Sequence, residues 1–470
     1  GVALTSPLDL NGGIITDLNG NPETDLTFTA PNTSGIKIDY PSLSMDFIAD
    51  TDGRYTLNGT AYNNLSSFLT AAGGTYTRAS VGTYFDSTGT LQTASTNTPR
   101  FEYDPTTHAP KGILIERTFS NSLKSSENFS NATHWTPTNV VLDSSGYISP
   151  AGIIGATKLI ADPTNGAHNI TSTISGGGNV TAGIPITASA FVKAGEHDRI
   201  KLDILPTTIF PLVSGVQTAP SITVNLSTGT IITTANTTYS AIQQLPNGWY
   251  RVSWGQTTSN ANSVRVSARI LDSSNSQTFA GDGTSGLYLW GYQLLINSLS
   301  ELSYMPSNGT WGVHSADTLT IPVASWYNPS TQTLFGRGLS SGKIITGIGA
   351  SLADIDDNSW NERFQIRFIP TFKYGGVITD AGSVQAILSG GTYTLGNVKS
   401  VAMSAKANDG VLIADGSTIV TSSSLTMGTS AAQLRIGSAA DGQEFLNGYI
   451  EDIKYYPQRS SDTQLQLLTQ

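Results

Sequence analysis

Cysteine is absent from the 470-residue chain. That excludes disulfides, thiolate catalysis and Cys-ligated metals. It also points towards bacteria or their viruses, because a secreted eukaryotic protein of this size ordinarily carries disulfides. Charge is scarce too: Asp, Glu, Lys and Arg make up 12% of the residues, about half the ~25% of an ordinary soluble domain. The balance is negative, a formal −10, which argues against nucleic acid, whose phosphates require a basic face. No run approaches the roughly 18–20 apolar residues that cross a bilayer, so no membrane insertion is expected. The opening GVALTSPLDL has neither the basic start nor the apolar stretch of a secretion signal, and none is expected there. His108, His134, His168, His197 and His314 show no paired metal-ligand spacing.

Ser, Thr, Asn and 48 Gly take the place of the missing charge. Short polar side chains compete with a helical backbone and Gly loses entropy in one, so the composition suits strands joined by tight turns. The expectation is an all-β protein of tandem antiparallel sandwiches after a smaller, mostly-β N-terminal region. Residues 1–40 read as short strands broken by Asn-Gly and Gly-Asn turns, and 44–62 as a hairpin with Asp-Gly at its tip. One helix is expected at NNLSSFLTAAGG, with Asn64 as its cap, Leu65, Phe68 and Leu69 on one face, and Gly73-Gly74 ending it. A second closes the chain, capped by Ser460 or Ser461, with apolar Leu465, Leu467 and Leu468. A chain this long exceeds one ordinary core. The divisions expected are 1–77 (attachment region), 78–117 (β-rich connector), 118–307 (jelly roll) and 308–470 (second sandwich), with PSNGT at 306–310 as linker.

Period-two alternation in NGWYRVSWG (247–255) places Tyr250, Val252 and Trp254 on one face and Trp249, Arg251 and Ser253 on the other. The first face reads as core. GLYLWGYQLL repeats the pattern, grouping Tyr288, Trp290, Tyr292 and Leu294. For Tyr250, Trp254 and Trp290 the core reading is preferred over sugar stacking.

These stretches carry a resemblance. NGWYRVSWG, DGTSGLYLWGYQLL and SYMPSNGT resemble the carbohydrate-binding-module-like jelly rolls of phage tail fibres, tail spikes and head spikes. The upstream order YTRASVGTYFDSTGTLQTASTNTPRFEYDPTTHAPKGILIER, then SENFSNATHW, is similar to many phage structural proteins. LRIGSAADGQEFLNGYIEDIKYYPQRSSDTQLQLLT resembles the closing strand and helix of their concanavalin A-like or laminin G-like sandwiches. The likeness covers roughly residues 44–470 and departs at RTFSNSLKSS, where an Arg-Thr-Asn-Leu is usual; residues 1–43 match nothing. The resemblance implies a virion-exposed fibre or spike subunit that binds bacterial surface polysaccharide for host adsorption. It also implies attachment to other virion proteins through the N-terminal region, and a homotrimer. The alternatives are a polysaccharide depolymerase, lyase or hydrolase, on the same scaffold, or a purely architectural virion protein.

Sugar sites of such sandwiches use exposed rings with amides and carboxylates nearby. Trp360, in the polar loop DIDDNSWNERF, is the leading candidate. Trp135 is either exposed or packed on the sandwich edge, and Trp326 and Tyr327 are candidates of which one could be core. Trp249 and Arg251 line either a sheet-face groove or an interdomain contact. Asp354, Asp356 and Asp357 have a spacing that permits calcium ligation, although the run lacks the Gly and distal Glu of an EF-hand loop and a plain solvated turn is preferred. Asp282 reads as an Asx turn or a calcium-binding corner. Structural calcium is therefore the one cofactor considered. No catalytic constellation is visible, and none is assigned: Glu196, Glu301, Glu362 and Glu444 are isolated in sequence, and no Gly-x-Ser-x-Gly elbow occurs.

Overall fold

The computed structural model describes residues 27, 40–51, 53–173, 180–340, 349–394, 396–440 and 442–470. Ser42–Gln470 form one compact unit, and the account below concerns that unit. The strands expected over residues 1–40 lie outside the described residues. The described chain is almost entirely antiparallel sheet with two short helices, Leu65–Ala72 and Asp462–Leu468. Both follow the expected local chemistry: Asn64 and Ser461 close capping boxes, and Gly73 ends the first helix in the left-handed region at φ 68°. No helix of the described residues is long and apolar enough to cross a membrane.

The jelly roll packs two six-stranded sheets. In one, Trp135–Thr138, His168–Ser172, Arg265–Leu271, Arg199–Leu205, Ser221–Asn225 and Thr230–Ala235 lie side by side. In the other the order is Val140–Ile148, Ile154–Ala161, Gly286–Ile296, Pro185–Lys193, Trp249–Thr257 and Tyr239–Gln244. Alternation fills the space between them: Ile200, Leu202 and Ile204 from the first sheet meet Tyr250, Val252 and Trp254 from the second. One part of the alternation breaks. Leu287 and Leu289 point into this core, as do Tyr292 and Leu294, whereas Trp290 faces out. A register shift opposite Ser189–Phe191, with Gly291 at φ 57°, inserts the extra residue that switches the face. Trp290 and Tyr288 therefore do not share a face with Tyr292, contrary to strict period two.

The second sandwich is built from both ends of the chain. Its larger, ten-stranded sheet holds Leu43–Asp46, Tyr55–Leu57 and Thr60–Tyr62 alongside Gly448–Tyr456, Thr331–Ser340, Lys399–Lys406, Asp409–Ala414 and Ser417–Ser422. The N-terminal strand pairs with the closing one in register Leu43↔Tyr455 and Met45↔Ile453. Thr75–Thr77 likewise adds an edge to the seven-stranded sheet by pairing with Thr318–Pro322. Residues 43–77 thus belong to the same core as 308–470, and the jelly roll is inserted between them. The segment 78–117 does not stand alone either. Pro110–Ile115 pairs with the closing strand, while Phe85 and Leu91 of a small hairpin cover the outer face of the jelly roll at Phe191, Trp249 and Trp290.

Where these parts meet, Arg78 and Arg100 are fully buried and clamp Asp317 at 3.1 and 2.6 Å. Arg100 also holds Glu116 at 3.0 Å. The hydroxyl of Tyr76 donates to Asp317 at 2.5 Å, and the backbone N–H of Ser303, at the end of the jelly roll, donates to Glu116 at 2.7 Å. Burial, the largest single influence, would raise both carboxyls, but Arg100 together with His314 and the hydrogen-bond donors around them outweighs it and holds each below its usual range. The motif residues of TRAS, PRFEYD and LIER are therefore the charged hub that joins the sandwiches.

Candidate functional site

The loop 357–362 joins two neighbouring strands of the seven-stranded sheet, Ala350–Asp356 and Arg363–Ile369. Successive side-chain caps fix its path. Asp356 accepts from the N–H of Asn358 at 2.7 Å, Asp357 from that of Ser359 at 2.9 Å, and the Ser359 hydroxyl from that of Asn361 at 3.0 Å. Trp360 sits on this loop and remains 41% exposed. The Arg363 guanidinium lies 3.8 Å from its ring centroid. Arg363 is itself buried, held by Asp354 at 3.1 Å and Glu444 at 3.2 Å. One face of the indole therefore rests on an immobilised cation, and its exposed area lies on the opposite face and edge. Beside it, the side-chain amide of exposed Asn361 makes no hydrogen bond among the described residues.

The aspartates beneath are committed to arginine. Asp354 pairs with Arg363, and Asp356 with Arg435 at 2.8 Å. Burial pushes the Asp354 carboxyl up to about 7 against the pull of Arg363. Asp357 points the other way and closes its turn onto the Ser359 hydroxyl at 2.7 Å. Calcium at these residues would have to displace two guanidinium groups, so the set does not fit the ion. Asp282 does not fit it either: its oxygens accept from Thr284 and Ser285 N–H at 2.8 and 2.7 Å and from the Ser285 hydroxyl at 2.6 Å. These bonds hold its carboxyl well below the usual range. It is the Asx turn of the two readings. The one grouping of three metal-ligating side chains among the described residues is Glu116, His314 and Asp317. There Arg78 and Arg100 already supply the positive charge, and burial lowers the His314 imidazole.

The other sugar candidates are withdrawn from solvent. Trp135 is 1% exposed, donates its indole N–H to the Ser125 carbonyl at 2.7 Å and packs edge-on against Phe129. Trp326 is buried against Tyr455, with Tyr327 half-buried beside it. Trp249 is buried under the Phe85–Leu91 hairpin and is the interdomain contact of its two readings; Arg251 is buried too, donates to the Leu302 carbonyl at 2.6 Å and lines a cavity at the junction. The structure does not gather these candidates around Trp360. Three exposed rings among the described residues lie outside the candidate set: Tyr40, Phe372 and Trp311, the last 43% exposed just before the strand Gly312–His314. Trp311 lies in SNGTWG, a polar setting like that of Trp360.

The four carboxylates isolated in sequence take separate partners. Glu196 pairs with Lys158 at 2.7 Å, and Glu362 accepts from Ala381 N–H at 2.9 Å. Glu444 receives Gln365 at 2.6 Å together with Arg363 and Arg367. Glu301 takes the Ser253 hydroxyl and lies 3.7 Å from Arg251.

No protein-family model and no curated protein sequence matches the chain. Among solved structures it is similar to the CBM40 of Ruminococcus gnavus IT-sialidase bound to α2,3 sialyllactose, at 16% identity over 30% of this chain and 84% of that one, with a TM-score of 0.27. It is also similar to the NanB sialidase of Streptococcus pneumoniae, at 15% identity over 32% of this chain and 26% of that one, TM-score 0.27. A third is domain 4 of AbnA, a GH43 extracellular arabinanase from Geobacillus stearothermophilus, in complex with arabinotriose. It shows 13% identity over 33% of this chain and 73% of that one, TM-score 0.27.

Proposed function

We propose that the protein is a fibre or spike subunit of a phage-like particle that adheres to bacterial surface polysaccharide, with the Trp360 loop as its sugar platform. The observation that carries the binding half is the geometry of Trp360, whose indole is exposed and backed by a fixed guanidinium 3.8 Å from its ring centroid. A ring already held in place loses little freedom when a sugar stacks on it, and the unpaired amide of Asn361 offers hydrogen bonds to hydroxyls. The virion half rests on the resemblance of the motifs at 76–117, 126–135, 247–310 and 434–469 to phage fibres and spikes. The same resemblance supports a homotrimer, in which shallow sites of modest affinity gain strength by avidity. The reading is of a binder rather than an enzyme, since the carboxylates singled out in the sequence are held by separate partners.

The test is a glycan array, followed by titration of the positive bacterial polysaccharide onto wild type and Trp360→Ala. Binding to wild type that falls at least tenfold in the variant supports the platform. Equal binding by both overturns it, and shortening of the polysaccharide during incubation overturns the non-enzymatic reading. Immunogold labelling of particles tests the virion role separately.

A further inference from the structure

A cavity of about 200 Å3 lies where the connector, the jelly roll and the closing sandwich converge. Its polar lining comes from all three: Glu102 and Lys111, then Tyr239, Arg251 and Glu301, then Tyr449. Glu102 is 5% exposed, accepts one hydrogen bond, from Phe85 N–H at 3.1 Å, and has no ion-pair partner among the described residues. Arg251 is 6% exposed, and its Nε makes no hydrogen bond there. Glu301 and Lys111 each keep 26% of their side-chain surface exposed and mark the solvent side, with Glu102 behind them. Tyr449 lies in the same lining with the Lys111 ammonium 5.3 Å from its ring centroid, and its phenol is raised by burial and by Glu102, Glu116 and Glu301. Tyr239 is raised by burial and by Glu301.

The charged groups of this lining other than Glu102 are already paired. Arg251 faces Glu301 at 3.7 Å, and Lys111 faces Asp104 at 3.6 Å. A negatively charged ligand would have to break one of these pairs to find a cation. An uncharged ligand rich in hydroxyls would not, and it would meet carboxyl, phenol and guanidinium groups that have bonding capacity to spare. The space is on the scale of one sugar ring rather than a chain. We infer that this junction cavity is a binding site for a single uncharged pyranose residue, such as the end of a glycan chain. The inference rests on the reading of the protein as a glycan binder and adds a second site, distinct from the Trp360 platform.

The test titrates D-glucose, D-galactose, D-mannose and N-acetyl-D-glucosamine onto the full chain, with D-glucuronate as the charged control, read by saturation-transfer NMR and calorimetry. Variants are Glu301→Gln and Tyr239→Phe in the cavity and Trp360→Ala on the platform. The expected result is binding of at least one neutral sugar, weakened tenfold or more by either cavity variant, unchanged by Trp360→Ala, and not shared by glucuronate. No neutral sugar bound at tens of millimolar, binding lost in Trp360→Ala but kept in the cavity variants, or equal binding of glucuronate would each overturn it. A wild-type crystal soaked in the bound sugar guards against a misfolded variant: a sugar ring against Glu102 and Tyr449 supports the site, and water alone overturns it. Loss of polysaccharide binding in Trp360→Ala concerns the platform only, so the two readings fail separately.

Discussion

Arg100 donates to Asp317 across 2.6 Å with both side chains fully buried, and the two residues belong to different stretches of chain that no turn connects. Arg100 lies in the connector and Asp317 at the head of the second sandwich. Taking such charges out of water is costly, and their mutual attraction offsets the cost only while both are present. Removing Arg100 leaves Asp317 with Arg78 as its one guanidinium partner and Glu116, equally buried, with none. Arg100→Ala should therefore lower unfolding free energy by about 3–5 kcal/mol, measured by guanidinium denaturation. The double variant Arg100→Met with Asp317→Leu should lose less than the sum of the single changes. Additive losses would show that the pair does not couple.

Gly291 provides a second stability test. A Cβ there would meet the Phe191 ring at 2.7 Å, and its φ of 57° disfavours any larger residue. Gly291→Ala should lower stability by about 1–3 kcal/mol through overpacking and backbone strain. Because the bulge aims Trp290 at the Phe85–Leu91 hairpin, tryptophan emission in the folded state should also shift. An unchanged denaturation midpoint would mean that the face switch does not depend on this glycine.

Much of this architecture was legible from residues that act locally. Asn64 with Gly73, and Ser461 with Gln464, specify helix ends through bonds within a few positions. Alternation in 249–254 sorts its side chains correctly because a regular strand has no other choice. The bulge at Gly291 was not legible, since a single glycine in a strand does not announce a register shift. Nor was the pairing of Leu43 with Tyr455, which joins residues more than four hundred positions apart. The same limit applies to the sites. Trp135 and Trp326 sit in polar, loop-like sequence, yet Phe129 and Tyr455 bury them, and those partners become neighbours only in the fold. Trp360 was legible because its loop is short and its polar neighbours cap one another. Glu102 was hidden inside a motif whose other charged residues all proved to be paired.

Arg363→Lys separates the sugar platform from the fold beneath it. Lysine keeps the charge but loses the planar group that backs the indole, and a cation–π contact is worth about 0.5–2 kcal/mol. Polysaccharide affinity should fall several-fold. The hydrogen bonds to Asp354 and Glu444 are also reduced, so stability should drop by about 1–3 kcal/mol. Trp360→Phe keeps those bonds and should alter affinity with a stability change within about 0.5 kcal/mol. If Arg363→Lys loses stability and keeps full affinity, the stacked cation is structural only.

Glu102 makes stability depend on pH in a direction opposite to the paired carboxyls of the hub. Burial, only partly opposed by Lys111, lifts its pKa from the ordinary 4.5 to about 8. Between those values the folded chain keeps a proton that the unfolded chain has released, so the native state binds more protons and stability falls as pH rises. The penalty is absent below about 4.5 and complete above about 8, with a slope of at most about 1.4 kcal/mol per pH unit. Asp354, lifted to about 7 by burial, adds a slope of the same sign, so the informative quantity is a difference between variants. Glu102→Gln keeps the shape and the acceptor for Phe85 N–H but cannot ionise. Denaturation series from pH 5 to pH 9 should converge for wild type and variant at the acid end, with the variant increasingly more stable towards the alkaline end. Parallel curves would mean that Glu102 ionises as easily in the folded protein as in the unfolded chain, and that the cavity behind Lys111 is wet enough to solvate a charge.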